Sequence, residues 1–453
     1  NSGIHYTKLG NLATGIAGYS AYQINNIKSY FNLITENKLL KEENLILKRN
    51  ELSYSPNNIE PKNSTPNIIS ANVIKNTINK RRNFILIDKG SNDGVLTDSG
   101  VINSSGIIGI INNVSPDYSS IISILNTDLK NKIDKIFAGK KLTKTNSAFG
   151  NYLLAKYERK SKNYEKELKF LIEGHENYFD SMKKKFELGI KYCFDDVLQI
   201  QKEVKVEEIN TNKYDEVKPI FIMGVPRCGS TLVEKIIASG SNTIPMGEET
   251  GIIENFVNKK ILENQSLNLG ACTEVREELN KLYKDRGLIL EKYNNTFTDK
   301  SLNNFFYLKL IKQIYPNAKI INCKRDTLSS IVSIFQNNLT ELAWTHNLNN
   351  ILKYFDNYFK IINNYDQETP NNVYHLEFEK LTKEPEKESK KLMKFCGLPW
   401  DKKCLEFYKR KDLISKTASN VQIREAIYKH SLEKYLPYKE LLAEYGKKYS
   451  WFN

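Results

Sequence analysis

The chain has 453 residues, 26% of them charged and 40% hydrophobic, a balance ordinary for soluble globular protein and a length that calls for two or three domains. Its net charge of +14 fits anionic ligands, nucleic acid or acidic lipid surfaces, but no basic block interleaved with aromatics reads as a nucleic-acid groove, and most lysines read as solvated faces. No uninterrupted apolar run is long enough to span a bilayer, and the six cysteines (Cys193, Cys228, Cys272, Cys323, Cys396 and Cys404) form no C-x2-C pair, which favours reduced thiols in a cytosolic setting over disulfides or zinc.

Two unlike parts follow one another along the chain. Tyr30, Leu33, Asn37, Leu40, Asn44 and Leu47 alternate at steps of three and four, a heptad seam that predicts a coiled-coil helix over residues 1–52 and a two-stranded dimer. A single amphipathic helix packed on its own domain is the simpler alternative. Residues 53–66 carry Pro56, Pro61 and Pro66 and read as a linker. Between 67 and 130 the punctuation is β: a strand at Asn83–Asp88, a turn at Lys89–Gly94, a hairpin from Gly100 to Ile111 and a strand at Ser119–Leu125. No cluster of His, Cys or paired carboxylates suggests catalysis there, so this region reads as a binding or structural module.

From about Asn131 to residue 200 the pattern is helical. Ala148–Tyr157 and Tyr164–Ile172 are amphipathic stretches joined by a Lys/Ser/Asn turn, similar to the last hairpin of a tetratricopeptide array. Two helices packed onto the next domain would look the same.

The domain at 215–453 opens on the most informative segment. The apolar run Pro219-Ile-Phe-Ile-Met-Gly224 stops at a tight loop, and a helix pattern starts near Ser230. Strand, glycine loop and helix start form an anion cradle, because the first N–H groups of a helix have no internal partner. The spacing Gly224-x4-Gly229-Ser230-Thr231 approaches a nucleotide-binding P-loop, but Ser230 stands where its lysine belongs, and Arg227 supplies charge from inside the loop. Four features follow in order: Met246-Gly-Glu248-Glu249-Thr250; Asp299-Lys300-Ser-Leu-Asn303; a buried-type strand running into Arg325-Asp326 with Ser333 eight residues on; and Thr417-Ala-Ser419 ahead of Lys434-Tyr435.

The residues carry two resemblances. Glu36-Asn37-x2-Leu40-x2-Glu43-Asn44-x2-Leu47, Asp88–Gly94, Gly106–Gly109 and Asn126-Thr-Asp128 resemble the rod-shape-determining protein MreC over about residues 1–130. That family is a membrane-anchored periplasmic scaffold of cell elongation, so the resemblance implies cell-elongation proteins as partners, an N-terminal anchor and a second β-domain. The half-module present here would expose edges and apolar faces. The ordered motifs from 131 to 447 resemble the sulfotransferase superfamily, most closely its tyrosylprotein and bacterial tetratricopeptide-fused branches. Phe395–Trp400 and Tyr374–Glu379 add support as structural matches.

The expected fold is therefore α/β, a P-loop-type three-layer sulfotransferase domain with a parallel sheet, preceded by the coiled-coil helix, the small β module and the short helical segment. The resemblance implies 3′-phosphoadenosine 5′-phosphosulfate (PAPS) as donor and no metal. It places the donor on Arg227, Cys228, Gly229, Ser230 and Thr231, with Arg325 and Ser333 on the 3′-phosphate and Ser419 and Lys434 completing the site. The catalytic set would be Arg227, Lys300 at the leaving oxygen, and a carboxylate base at the acceptor hydroxyl of a peptide, glycan or lipid. Ungapped counting from Arg227 makes Glu248 the expected base; aligning Gly-Glu-Glu-Thr with one insertion makes Glu249 the alternative. Cys228 replaces a usual Ser, and Gly240-Ser241 stands where His-Pro is usual, losing a proline that stiffens that corner.

Two rival readings are a P-loop NTPase or kinase, which needs a lysine at Ser230, and a non-enzymatic MreC-like scaffold. The compartments diverge: cytoplasm for the sulfotransferase part, inner membrane and periplasm for the scaffold.

Overall fold

Isoleucine alternation builds the first of two units into which the chain divides, Asn1–Gly139 and Lys140–Asn453. The computed structural model describes residues 44–46, 68–77, 83–103, 106–123, 126, 142–207, 217–240, 243–291, 294–410 and 434–452. Of the heptad segment only residues 44–46 are described, and they are helical; the rest of the coiled-coil expectation, the linker and the Thr417–Arg424 motif lie outside the described residues.

In the first unit, β1 (Val73–Asn76), β2 (Phe84–Ile87), β3 (Gly100–Asn103), β4 (Gly106–Val114) and β5 (Ser119–Ser123) form an antiparallel sheet in the order β1-β2-β5-β4-β3. Ile85, Ile87, Val95, Ile111 and Ile121 fill its core, as period-two burial requires. The expected strands and hairpin are present. The sequence reading did not anticipate β1, whose four residues are all exposed and so lack the burial signal. This edge presents Val73 and Ile74, each half or more exposed, the unprotected type of edge that invites pairing.

The second unit is built on a parallel sheet. After the helices α1 (Lys144–Lys160), α2 (Tyr164–Ser181), α3 (Lys183–Lys191) and α4 (Val197–Glu203), strand β6 (Lys205–Glu207) leads to β7 (Lys218–Gly224). Helices α5 (Ser230–Ala238) and α6 (Ile252–Asn264), strand β8 (Asn268–Ala271) and helix α7 (Cys272–Asp285) precede β9 (Thr296–Asp299). A 3-10 turn (Leu302–Tyr307) and α8 (Leu308–Ile314) then reach β10 (Lys319–Lys324). Helices α9 (Thr327–Phe335) and α10 (Leu348–Glu368) lead to β11 (Val373–Glu377), followed by α11 (Phe378–Lys383), α12 (Pro385–Cys396) and, past the undescribed stretch, α13 (Pro437–Gly446).

The central sheet runs β11-β10-β7-β9, every pair parallel, while β6 and β8 form a separate parallel pair. Ile220, Phe221, Ile222 and Met223 of β7 are buried at 1% exposure or less, the continuous apolar run expected of a strand covered on both faces. From β7 the chain crosses to β9 on one side, whereas from β10 it crosses to β11 on the other. The crevice between the carboxyl ends of β7 and β10 is thus the switch point where open α/β sheets bind ligands.

The helices expected as a tetratricopeptide-like segment are not set apart from this unit. Ala155, Leu168, Leu171, Phe194 and Val197 join the same core as β7 and β10. Polar contacts deepen the junction. Glu167 of α2, fully buried, accepts hydrogen bonds from Arg159 Nε at 2.6 Å, Gln336 Nε2 at 3.0 Å and the Tyr438 hydroxyl at 2.6 Å. His175 of α2 donates from Nε2 to the Phe335 carbonyl at 2.7 Å, which leaves Nδ1 as its single acceptor, with the Tyr152 hydroxyl at 3.1 Å and His346 Nδ1 at 2.9 Å around it. Among the described residues no helix is long and apolar enough to cross a membrane.

Candidate active site

The loop after β7 is shaped by two glycines. Gly229, at φ 95°, begins α5, and a Cβ there would lie 2.3 Å from the Phe378 ring. Gly224, at φ 150°, lies against β10, and a Cβ there would sit 2.7 Å from the Cys323 carbonyl oxygen. Gly229 offers no side-chain cap to α5, which suits a helix start that takes an anion. Between the glycines Arg227 holds φ 70°, a left-handed conformation costly for a residue with a Cβ and characteristic of functional loops.

Three residues far apart in sequence meet here. Arg227 donates from Nε to Ser333 Oγ at 3.1 Å, and its carbonyl accepts from Arg325 Nη1 at 2.9 Å. The Arg325 guanidinium faces the rings of Phe378 at 5.2 Å and Tyr435 at 5.7 Å, while its Nε is buried without a hydrogen-bond partner. A buried, unpaired guanidinium donor is costly unless a ligand completes it. Lys434 Nζ lies 5.2 Å from the other partner ring, Tyr435, which puts it beside this cluster. Cys228 is buried under the loop, where the Cys323 thiol, donating a hydrogen bond, pulls its pKa down.

The Gly-Glu-Glu-Thr loop runs alongside β9. Lys300 N donates to Gly247 O at 2.9 Å, Glu249 N donates to Lys300 O at 3.0 Å, and Glu248 bridges Lys300 in parallel, so the loop extends the sheet by one short rung. Lys300 is wholly buried, with Nζ 2.6 Å from Glu249 Oε1 and 3.8 Å from Glu248 Oε1. Burial would lower its pKa, but Glu249, Glu234 and Glu248 outweigh that and leave it raised. Glu249 also takes a left-handed backbone, φ 50°.

Of the expected donor residues, Arg227, Arg325 and Ser333 are brought together at the carboxyl ends of β7 and β10, flanked by Cys228, Gly229, Ser230 and Thr231 of the loop. Lys300 and the two glutamates gather at the end of the adjacent β9, and the charge of Lys300 reaches Cys228. Ser419 lies outside the described residues. Sequence reasoning missed what seats the acidic loop. Asp299, fully buried, accepts from Thr250 Oγ1, Tyr283 OH, Ser301 Oγ and Asn304 Nδ2 at 2.7 to 3.2 Å, and burial keeps its pKa raised despite them. Its only sequence signal is an acid ending the apolar-alternating strand Thr-Phe-Thr-Asp. Phe378 and Tyr435 were likewise invisible as partners of Arg325, being 53 and 110 residues downstream.

Fold and site together define a parallel α/β domain with an anion-binding loop and a lysine–carboxylate pair. Residues 219–402 match the sulfotransferase family model, and residues 73–174 match that of the rod shape-determining protein MreC, barrel core. The second match runs past the first unit into α1 and α2, which here are helical and packed in the second unit. The chain is 30% identical over 319 residues to an uncharacterised protein of Aquifex aeolicus, covering 66% of this chain and 41% of that one. It is 24% identical over 268 residues to protein-tyrosine sulfotransferase A of Caenorhabditis elegans, covering 54% of this chain and 66% of that one. The chain thus spans less than two thirds of either relative's length. Among solved structures, the sulfotransferase domain of the Synechococcus PCC 7002 olefin synthase aligns at 17% identity and TM-score 0.32, covering 49% of this chain and 88% of that one. A mouse sulfotransferase complexed with PAP aligns at 15% identity and TM-score 0.32, covering 57% and 92%.

Proposed function

We propose that the second unit transfers a sulfuryl group from PAPS to an acceptor hydroxyl. The observation that carries this reading is the meeting of Arg227, Ser333 and Arg325 beside the helix-start loop, with Arg325 Nε buried and lacking a partner. Two guanidinium groups and a hydroxyl gathered beside one helix-start loop fit a ligand with charge at two ends, as a 3′-phosphorylated phosphosulfate has, and a triphosphate site would instead want lysine at Ser230. The family match at 219–402 supports the same chemistry.

In this reading the N–H groups of Gly229 to Thr231 and Arg227 hold the phosphosulfate, and Arg325 and Ser333, with Ser419 and Lys434, hold the 3′-phosphate. Sulfuryl transfer needs positioning and charge stabilisation more than covalent catalysis. Glu249 takes the acceptor proton as the acceptor oxygen bonds to sulfur. The sulfur–phosphate-oxygen bond breaks, and the Lys300 ammonium neutralises that leaving oxygen. The short contact of Glu249 with Lys300 and its left-handed backbone support it over Glu248, which remains the second candidate. No residue of this scheme requires a metal.

The name of the C. elegans relative makes peptide tyrosine the acceptor to test first, ahead of glycans and lipid headgroups. The first unit would act as an MreC-like binding module, its heptad helix dimerising and its sheet meeting cell-elongation partners. The sulfotransferase part would work in the cytoplasm, with an inner-membrane or periplasmic placement as the alternative set by that module.

Calorimetric titration with 3′-phosphoadenosine 5′-phosphate, AMP and ATP tests the reading. The 3′-phosphorylated nucleotide is expected to bind at least about tenfold tighter than the others, and Arg325→Ala to cost about 2 kcal/mol, roughly thirtyfold. Equal binding of all three, or none in folded protein, overturns it.

A further inference from the structure

Glu234 is a carboxylate that the scheme above does not use, and its burial calls for a reason. It is the fifth residue of α5, the helix that springs from the donor loop, and it is 0% exposed. Its Oε1 accepts from Thr298 Oγ1 at 2.7 Å, while Oε2 is buried without a hydrogen-bond partner. The same Thr298 hydroxyl accepts from Gly247 N at 3.2 Å, and Gly247 is the first residue of the Gly-Glu-Glu-Thr loop. A three-residue connection therefore runs from the donor-loop helix through β9 to the loop that carries both glutamates.

The charge relations point the same way. The titratable groups facing Glu234 are Asp299 of β9, Lys300 just past it, Glu248 of the acidic loop and Cys323 of β10. Lys300 is the single cation among them. Burial pushes the Glu234 pKa up to about 7, against the pull of Lys300 and of the Thr298 hydrogen bond. A glutamine or methionine would fill the space without that desolvation cost. A carboxylate here supplies what neither could, a buried counter-charge for Lys300 beyond Glu249 and Glu248.

We propose, on the sulfotransferase reading, that Glu234 is a positioning residue: its carboxylate holds the Lys300 ammonium in place when Glu249 leaves Lys300 to meet the acceptor hydroxyl, and through Thr298 it seats the loop bearing that base. Lys300 is salt-bridged to Glu249 at 2.6 Å. A buried lysine that loses its nearest anion holds its proton less firmly, and Glu248 at 3.8 Å is then its remaining ion-pair partner. Glu234 adds to Glu248 a fully buried anion that acts on Lys300 when Glu249 moves. It touches neither donor nor acceptor in this role.

The test uses the full chain as wild type, Glu234→Gln and Glu234→Asp. Glutamine keeps the Thr298 acceptor and removes only the charge. Infrared difference spectra across pH should show, in wild type, a protonated-carboxyl band that disappears with a midpoint near 7 and is missing in Glu234→Gln. Turnover is measured from PAPS to a glutamate–tyrosine copolymer, with 3′-phosphoadenosine 5′-phosphate affinity measured in parallel. Glu234→Gln is expected to lower kcat by about tenfold or more, with nucleotide affinity and copolymer KM within about threefold and the acidic limb of the kcat–pH profile displaced. Glu234→Asp should recover part of that loss. An unchanged kcat and pH profile in Glu234→Gln, or a wild-type band that persists in it, overturns the proposal. Failure of wild type to bind the nucleotide would instead overturn the sulfotransferase reading, and the infrared titration separates the two.

Discussion

Lys300 sits wholly buried beside two consecutive carboxylates, 2.6 Å from Glu249 and 3.8 Å from Glu248, whose side chains are 49% and 12% exposed. A general base must reach the acceptor hydroxyl, so the more accessible side chain is better placed. The enclosed Glu248, bridging β9 through its backbone, reads as part of the frame. Glu249→Gln is therefore expected to reduce kcat by about a hundredfold or more while leaving nucleotide affinity within about twofold. Glu248→Gln should cost kcat less and thermal stability more. Steady-state kinetics and calorimetry on the two variants decide the assignment, and the reverse ranking would restore Glu248. Counting along the sequence favours Glu248, but one inserted residue exchanges the two positions, and the exposure of the side chains favours Glu249 instead.

At the scale of elements, α2 ties the helical hairpin to the site. Its Glu167 meets Gln336, just past α9, and Tyr438 of α13, and its His175 meets the last carbonyl of α9, the helix that carries Ser333. Both histidines of the pair are buried, and burial lowers the pKa of His175 to about 4 and that of His346 to about 3. Since the folded state keeps them neutral, their stabilisation is complete above the unfolded value of about 6.5 and is lost as pH falls from there towards 4. The loss for His175 is about 3 kcal/mol. All three tryptophans (Trp344, Trp400 and Trp451) lie in the second unit, so their fluorescence reports its unfolding alone. Urea midpoints by tryptophan fluorescence should drop between pH 7 and 4 more steeply in wild type than in His175→Gln. Parallel slopes would show that the pair does not control acid stability.

For the whole molecule, each unit carries its own hydrophobic core, and every described residue of the proposed donor site belongs to the second. Residues 140–453 alone are therefore expected to bind 3′-phosphoadenosine 5′-phosphate within about twofold of the full chain, about 0.4 kcal/mol. A much weaker affinity in folded fragment would show that the first unit contributes to the site. The exposed apolar edge of β1 gives that first unit a different kind of surface, suited to pairing with another strand rather than to chemistry.

What the sequence by itself determined is what local pattern encodes. The apolar run ending at Gly224, the glycine-bounded loop and the helix start at Ser230 are contiguous, and φ restrictions with orphan helix N–H groups make them a candidate anion cradle from local sequence alone. The isoleucine alternation of the first unit and the amphipathic period of α1 and α2 were legible for the same reason. Only the tertiary structure decided which side chains complete one another. Arg227 meets Ser333 across 106 residues, Glu167 meets Tyr438 across 271, and Glu234 reaches the acidic loop through Thr298. Such pairs satisfy buried polar groups, and which partner answers which is settled when the parallel strands align, since no local period records it.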